Sequence, residues 1–262
     1  MTRTVQFQTL PPFGGDQRQV SEVVRGIMDG KTNNTGKVTL ATGNATTTTI
    51  YDSRIGNESL IFLTPTNTNA GNNSVPFGSF QNTANQNPAA ANTVYTVALN
   101  TTDVADGMYL SSNKIYSRNA GTFNVQFSLQ LANTDSQIHE ASIWIRKNGT
   151  DVTGTGSKYS VPNKHGSIDG YLIAVANFFV TVAVGDYVEV MIAVSNTAIY
   201  IEAYAAQTSP FAMPSIPSSV VTLTLASPVE SPYISSTTQG SAIITHYANS
   251  VSGKTYGYIV VG

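Results

Sequence analysis

The sequence predicts a mainly β chain: a sandwich or jelly-roll module inserted into a smaller antiparallel β domain that carries one short helix near its N-terminus. Three observations predict it. Gly121–Leu131 alternates Phe123, Val125, Phe127, Leu129 and Leu131 with Asn124, Gln126, Ser128 and Gln130, and a period of two puts the apolar set on one face of a pleated strand. Turn signals recur between short apolar runs, as in all-β folds. Charged residues are only 11 % of the 262, against about 25 % in ordinary domains, so the polar surface is built mostly from Asn, Thr, Ser and Gln.

Residues 1–15 read as an extended arm, because Pro11-Pro12 and Gly14-Gly15 forbid regular structure. Asp16 is an N-cap and Gln19, three on, could complete a capping box. Val20, Val23, Val24, Ile27 and Met28 then form one apolar stripe at helical spacing, and Gly30 fits the position that ends the helix. A helix of about three turns is marginal alone in water, so the stripe must dock, either on its own domain or on a neighbouring subunit. Strands follow at Lys37–Ala41 and Thr46–Tyr51. Ser59–Leu63 is continuously apolar, the pattern of a strand buried on both faces.

From Thr64 the composition turns to Asn, Gly and Pro, and 76–93 reads as a linker. The central module, 94–228, holds the alternating strand, then Ala141–Lys147 closed by Asn148-Gly149, a type I′ hairpin signal. Tyr171–Val184 and Tyr187–Val194 meet at Gly185-Asp186, and Ile199, Ile201 and Ala203 repeat the alternation. Val220–Leu225 ends the module. Two last strands, Ser241–Tyr247 and Tyr256–Val261, are not stable as a pair, and neither are the strands before residue 64. The simplest solution folds 16–75 with 229–262 as one domain of about 95 residues, an ordinary size. The module is then an insertion into its loop.

Net charge is −2, so nothing draws nucleic acid or anionic lipid from a distance. No cysteine is present, which removes disulfide frameworks and thiolate metal sites. The start, MTRTVQFQ, lacks the apolar core of a signal peptide, and Tyr171–Val184 is interrupted by Asn177 and too short to span a bilayer. The expectation is a chain neither secreted by an N-terminal signal nor inserted in a membrane.

Residue types that can carry chemistry occur in several places. His139, His165 and His246 are far apart, and His139-Glu140 lacks the second histidine of a zinc-protease helix. Asn100, Asp103 and Asp106 form an oxygen-rich loop without EF-hand spacing. Gly253-Lys254-Thr255 and Gly30-Lys31-Thr32 mimic the end of a phosphate loop but lack its earlier glycine and its strand-to-helix setting. Glu189 and Glu202 have polar-face phase and could form a glycosidase dyad; solvated strand charges are the simpler reading. Neither cofactor nor metal is expected. Tyr187, Tyr200 and Tyr204 have the phase opposite the aliphatic set, suited to a subunit interface or to stacking on sugars, with the interface favoured.

Two resemblances add to this. GKTNNTGKVTLATGNATTTTIYDSRIGNESLIFLTPT from Gly30 and YISSTTQGSAIITHYANSVSGKTYGYIVVG from Tyr233 resemble a small structural protein family of short-tailed bacteriophages, in which the two segments lie close together. The central module, through Gly121–Leu131, WIRKNGT at Trp144–Thr150 and VAVGDYVEV at Val182–Val190, is similar to the C1q/TNF-like jelly roll. The resemblances imply a non-enzymatic virion protein: a homotrimeric tail fibre or spike protomer, docked on a tail adaptor, a nozzle or the capsid. Its jelly roll would face a host surface glycan or protein. The alternatives are a capsid head fibre or decoration protein and, in another class, a surface-polysaccharide hydrolase working through Glu189 or Glu202.

Overall fold

The computed structural model describes residues 10–30, 32–71, 75–227, 231–249 and 251–262. The chain is mainly β, in antiparallel sheets, and divides into two compact units, 1–72 with 231–262 and 73–230. Residues 1–9 of the expected arm lie outside the described residues. In chain order the elements are α1 (Gln17–Met28), β1 (Thr35–Thr39), β2 (Ala45–Tyr51), β3 (Leu60–Pro65) and α2 (Thr68–Gly71). Then come β4 (Phe77–Asn82), β5 (Val94–Thr96), β6 (Thr101–Asp106), β7 (Met108–Ser111), β8 (Lys114–Ser117), β9 (Gly121–Asn133), β10 (His139–Lys147) and β11 (Thr150–Asp151). The chain closes with β12 (Ser157–Val161), β13 (Gly170–Val182), β14 (Tyr187–Val194), β15 (Ile199–Ile201), β16 (Ser219–Leu225), β17 (Tyr233–Thr238), β18 (Ser241–Asn249) and β19 (Thr255–Val261).

The smaller unit is two three-stranded sheets, β1-β19-β3 and β17-β18-β2. Each takes strands from both ends of the chain, so neither end builds a sheet alone. Leu40, Ile50, Ile55, Ile244, Tyr256 and Val260 form the core between them. The Tyr256 hydroxyl donates to the Ala70 carbonyl at 2.8 Å, tying α2 to β19. The unit has a second, one-turn helix that the sequence reading did not include. Ser59–Leu63 is also corrected. In β3 Ile61 and Leu63 turn inward, but Leu60 and Phe62 stay exposed.

The larger unit is a sandwich. One sheet runs β11-β10-β14-β8-β7, with β12 added on β10 and β5 on β14; the other runs β13-β9-β16-β4-β6, with β15 added on β9. Successive strands pass repeatedly from one sheet to the other, the wiring of a jelly roll. The inner set of β9, Phe123 to Leu131, is at most 1 % exposed, and Ile143, Ile145, Val190, Ile192, Val221 and Leu223 are buried with it. Asn148 (φ 49°) and Gly149 (φ 79°) both take positive φ and close β10 onto β11 with Lys147 opposite Thr150, as a type I′ turn requires.

The segment 76–93 is not a linker. It contains β4, which pairs with both β16 and β6, and Gln86 bridges Ile201. Composition hid this strand because its inward set is Gly78, Phe80 and Asn82, only one of them large and apolar. Gln86 replaces absent apolar burial with hydrogen bonds: its amide accepts from Ala98 N–H at 2.7 Å and donates to Ser218 and Ser219 hydroxyls at 3.2 Å.

Candidate assembly surfaces

The α1 helix forms as its caps dictate. Gln19 N–H donates to Asp16 Oδ1 at 2.8 Å, and Gly30, at φ +74°, ends the helix with its N–H on the Ile27 carbonyl. Arg18 and Glu22 pair one turn apart on the polar side. No residue of the helix is buried. Val20, Val24, Ile27 and Met28 are all exposed, Met28 by 83 %, and Val23 is half-buried. The stripe does not pack on its own domain.

The three tyrosines do not form one stripe. Tyr187 belongs to β14, whereas Tyr200 lies in β15 on the other sheet and Tyr204 bridges Ile216 beyond it. Alternation along single strands cannot show which sheet a strand joins, and that is where the expectation failed. Tyr187 instead meets two tyrosines that the sequence reading missed. The Tyr109 and Tyr116 rings stack at 4.9 Å, and Tyr187 tilts against Tyr116 at 5.2 Å. Arg118 lies over Tyr109 and Lys114 over Tyr187, each at 4.4 Å. Beside them Glu189 stands opposite Arg146, and Arg146 opposite Asp151. The Arg146 guanidinium holds the Asp151 carboxyl below its ordinary range. This outer face is a crowded set of rings and alternating charges that satisfy one another.

Tyr200 and Tyr204 gather around Glu202. Tyr204 donates its hydroxyl to Glu202 Oε2, Tyr200 reaches Asp169 at 3.4 Å, and the Tyr171 ring meets Tyr204 edge-on at 6.4 Å. Burial, followed by the Glu202 carboxylate, pushes both the Tyr200 and Tyr204 hydroxyls far above the usual phenol range, so they act as donors at any physiological pH.

The outer face of the β13-β9-β16-β4 sheet has a different chemistry. β13 is an edge strand and exposes Tyr171, Ile173, Val175 and Phe179, the last by 67 %. On the same face β9 presents Asn124, Gln126, Ser128 and Gln130, opposite Phe179, Asn177, Val175 and Ile173. β16 adds Val220, Thr222 and Thr224, and β4 adds Phe77, Ser79 and Gln81, by register with β9. None of these four strands puts a charged side chain on this face. The Asn124 Oδ1 atom is buried there without a hydrogen-bond partner.

The remaining candidates resolve into structural contacts. Glu189 lies in β14 and Glu202 just past β15 of the other sheet, and they have different partners: Glu189 accepts from Thr96 at 3.4 Å and Glu202 from Tyr204. Asp103 and Asp106 stand on strand β6 rather than in a loop, where Asp103 accepts from Ser79. His139 pairs with Asp135 at 2.7 Å. His246 lies between Thr48 Oγ1, at 2.9 Å, and the Tyr247 carbonyl, at 2.8 Å. His165 only closes a bridge with Ile168. Gly253-Lys254-Thr255 is the turn into β19, and Lys31 of the other glycine–lysine motif lies outside the described residues. Among the described residues no three His, Cys, Asp or Glu side chains are grouped to hold a metal, and no helix is long and apolar enough to cross a membrane. No protein-family model matches this chain, and no curated protein does.

Proposed function

We propose that this chain is a bacteriophage virion structural protein, the protomer of a homotrimeric tail fibre or spike. Its smaller unit is the base that assembles on the particle, and its jelly roll is the projecting head that meets the host surface. The observation that carries this reading is the outer face of strands β13, β9, β16 and β4, which is broad and carries no charged side chain, the carboxylates of Asp103 and Asp106 standing at its β6 edge. A closed symmetric oligomer brings identical side chains together near its axis. Charges there would repel, whereas amides and hydroxyls both donate and accept and so pair with their own copies. The exposed apolar residues of β13 supply the burial that holds such a face shut, and a long apolar edge strand left open is an association site in any case.

The uncovered α1 stripe supports the assembly role of the base. The rigid sandwich with its loops suits adhesion, where many weak contacts from many copies accumulate. The native mass of the purified protein tests the reading. A stable species near three times the 27.8 kDa chain is expected, and a monomer at micromolar concentration would sink it. Deleting residues 1–30 should abolish entry into particles; unimpaired incorporation removes the anchoring role.

A further inference from the structure

We propose that the apolar stripe of α1 seats on the outer face of the β1-β19-β3 sheet of a neighbouring copy, so that the bases of the assembly are held together by exchanged helices. The proposal rests on the self-association put forward above and names what the stripe docks on.

Two uncovered apolar surfaces stand in the same unit. One is the helix stripe, Val20, Val24, Ile27 and Met28. The other is formed by Leu60 and Phe62 of β3 with Ile259 and Val261 of β19, all between 42 % and 63 % exposed. Register makes this second surface continuous: Leu60 lies opposite Val261 and Phe62 opposite Ile259. Along β1 the same face carries Thr35, Lys37 and Thr39, and Lys37 is the sole charged side chain on it among the described strands. A 12-residue helix is marginal without a partner, and a cluster of four large apolar side chains marks a contact site. Each chain therefore supplies one helix that needs a surface and one surface that needs a cover.

The attachment of the helix supports exchange. Asn34 accepts from Val260 N–H at 2.8 Å, and the Arg54 guanidinium donates to the carbonyls of Asn33 and Thr35. The chain is thus pinned to its own sheet from Asn33 onward. It enters at the apolar end of the face, since Thr35 stands opposite Ile259. Only residues 29–32 link the pinned segment to α1, a reach of at most about 14 Å. In the structure the chain's own helix leaves its own face uncovered, and both surfaces remain complete for another copy. Exchange of identical elements around a closed symmetry needs no new surface. Once the jelly rolls hold the copies together, the local helix concentration is of order millimolar.

The absence of cysteine makes the test direct. In the full chain, Val24→Cys and Phe62→Cys are introduced together, and the native protein is treated with a short bismaleimide. Its native mass before treatment is compared with that of the unaltered protein, which keeps the loss of the exchange distinct from the loss of self-association. On a denaturing gel, exchange yields covalent products of two and three chains. A cross-linked single chain, or no cross-link in a protein that keeps its oligomeric mass, overturns it. Hydrogen exchange on the unaltered protein gives a second reading. Amides of residues 17–28 should be protected at least tenfold more in the assembly than in monomer obtained by diluting it below its dissociation constant; equal exchange in the two overturns the proposal even if the cysteine variant fails to fold.

Discussion

Arg54 shows how much one side chain organises in the smaller unit. Its guanidinium donates to both Asp52 oxygens and to the carbonyls of Asn33 and Thr35, while the Tyr258 hydroxyl donates to Asp52 Oδ2 at 2.8 Å. Asp52 is 7 % exposed and Arg54 31 %, so the pair is shielded on one side and wet on the other. The hydrogen bonds from Arg54 outweigh desolvation and hold the Asp52 carboxyl far below its ordinary range. Arg54→Ala should destabilise this unit by about 2 kcal/mol, the range of hydrogen bonds to a charged group. Urea unfolding followed by hydrogen exchange in its peptides would measure the loss. The pH dependence has a definite sign. A carboxyl depressed in the folded state contributes stability that is present above its unfolded value of about 3.9 and lost as pH falls through the lower folded value. The unaltered protein should therefore lose stability below about pH 4 more steeply than Arg54→Ala. None of this was legible in YDSRIGN, because the groups that Arg54 and Asp52 bind, other than each other, lie about twenty or two hundred residues away. The same limit split the tyrosines: phase along a strand is local, whereas the neighbour across a sheet is set by topology.

Elements were legible where the signal lies within the element. The caps of α1 are formed by Asp16 and Gly30 as their residue types imply, and β9 buries the apolar set that its alternation marked. The Asn148-Gly149 hairpin falls in place for the same reason. β4 was missed because its burial is carried by Phe80 and by hydrogen bonds at Gln86, which composition reads as loop. Two glycines separate conformational from steric need. An added Cβ at Gly149 meets nothing closer than the Tyr187 hydroxyl at 3.7 Å, so Gly149→Ala carries only the strain of φ +79°, about 1 kcal/mol. At Gly170 the Cβ would stand 1.9 Å from the Pro162 carbonyl oxygen. That atom is backbone and cannot swing aside, so Gly170→Ala should cost several-fold more, near or above about 3 kcal/mol. Denaturant midpoints of the two variants decide this, and equal midpoints would mean that the loop after β12 yields freely.

At the scale of the whole molecule, the jelly roll has two outer faces of opposite character. On the β14 side, rings are capped by Lys114 and Arg118 and carboxylates are matched by Arg146, so that face is satisfied within one chain. On the β9 side the strands β13, β9, β16 and β4 carry no charge and the carboxylates stand at the far edge on β6, apolar groups stand open along β13, and one amide oxygen is buried without a donor. A surface that is complete in water needs no partner; a surface with an orphaned acceptor and an open apolar edge is stabilised by one. The two faces therefore respond differently to the same chemical change. Val175→Glu with Phe179→Glu places like charges against their symmetric copies, where juxtaposition costs several kcal/mol, and should weaken self-association by at least about 100-fold. Both positions are exposed in one chain, so the protomer should keep its circular dichroism and its melting cooperativity. Ser142→Glu, on β10 opposite Lys158, adds a charge to the self-satisfied face and should leave the mass unchanged. Sedimentation over a range of concentrations distinguishes the cases. If the double variant dissociates while Ser142→Glu does not, the neutral face is the contact between copies. If Ser142→Glu alone dissociates the assembly, the ring-and-charge face is the contact, and the open β13 edge belongs to a different protein of the particle.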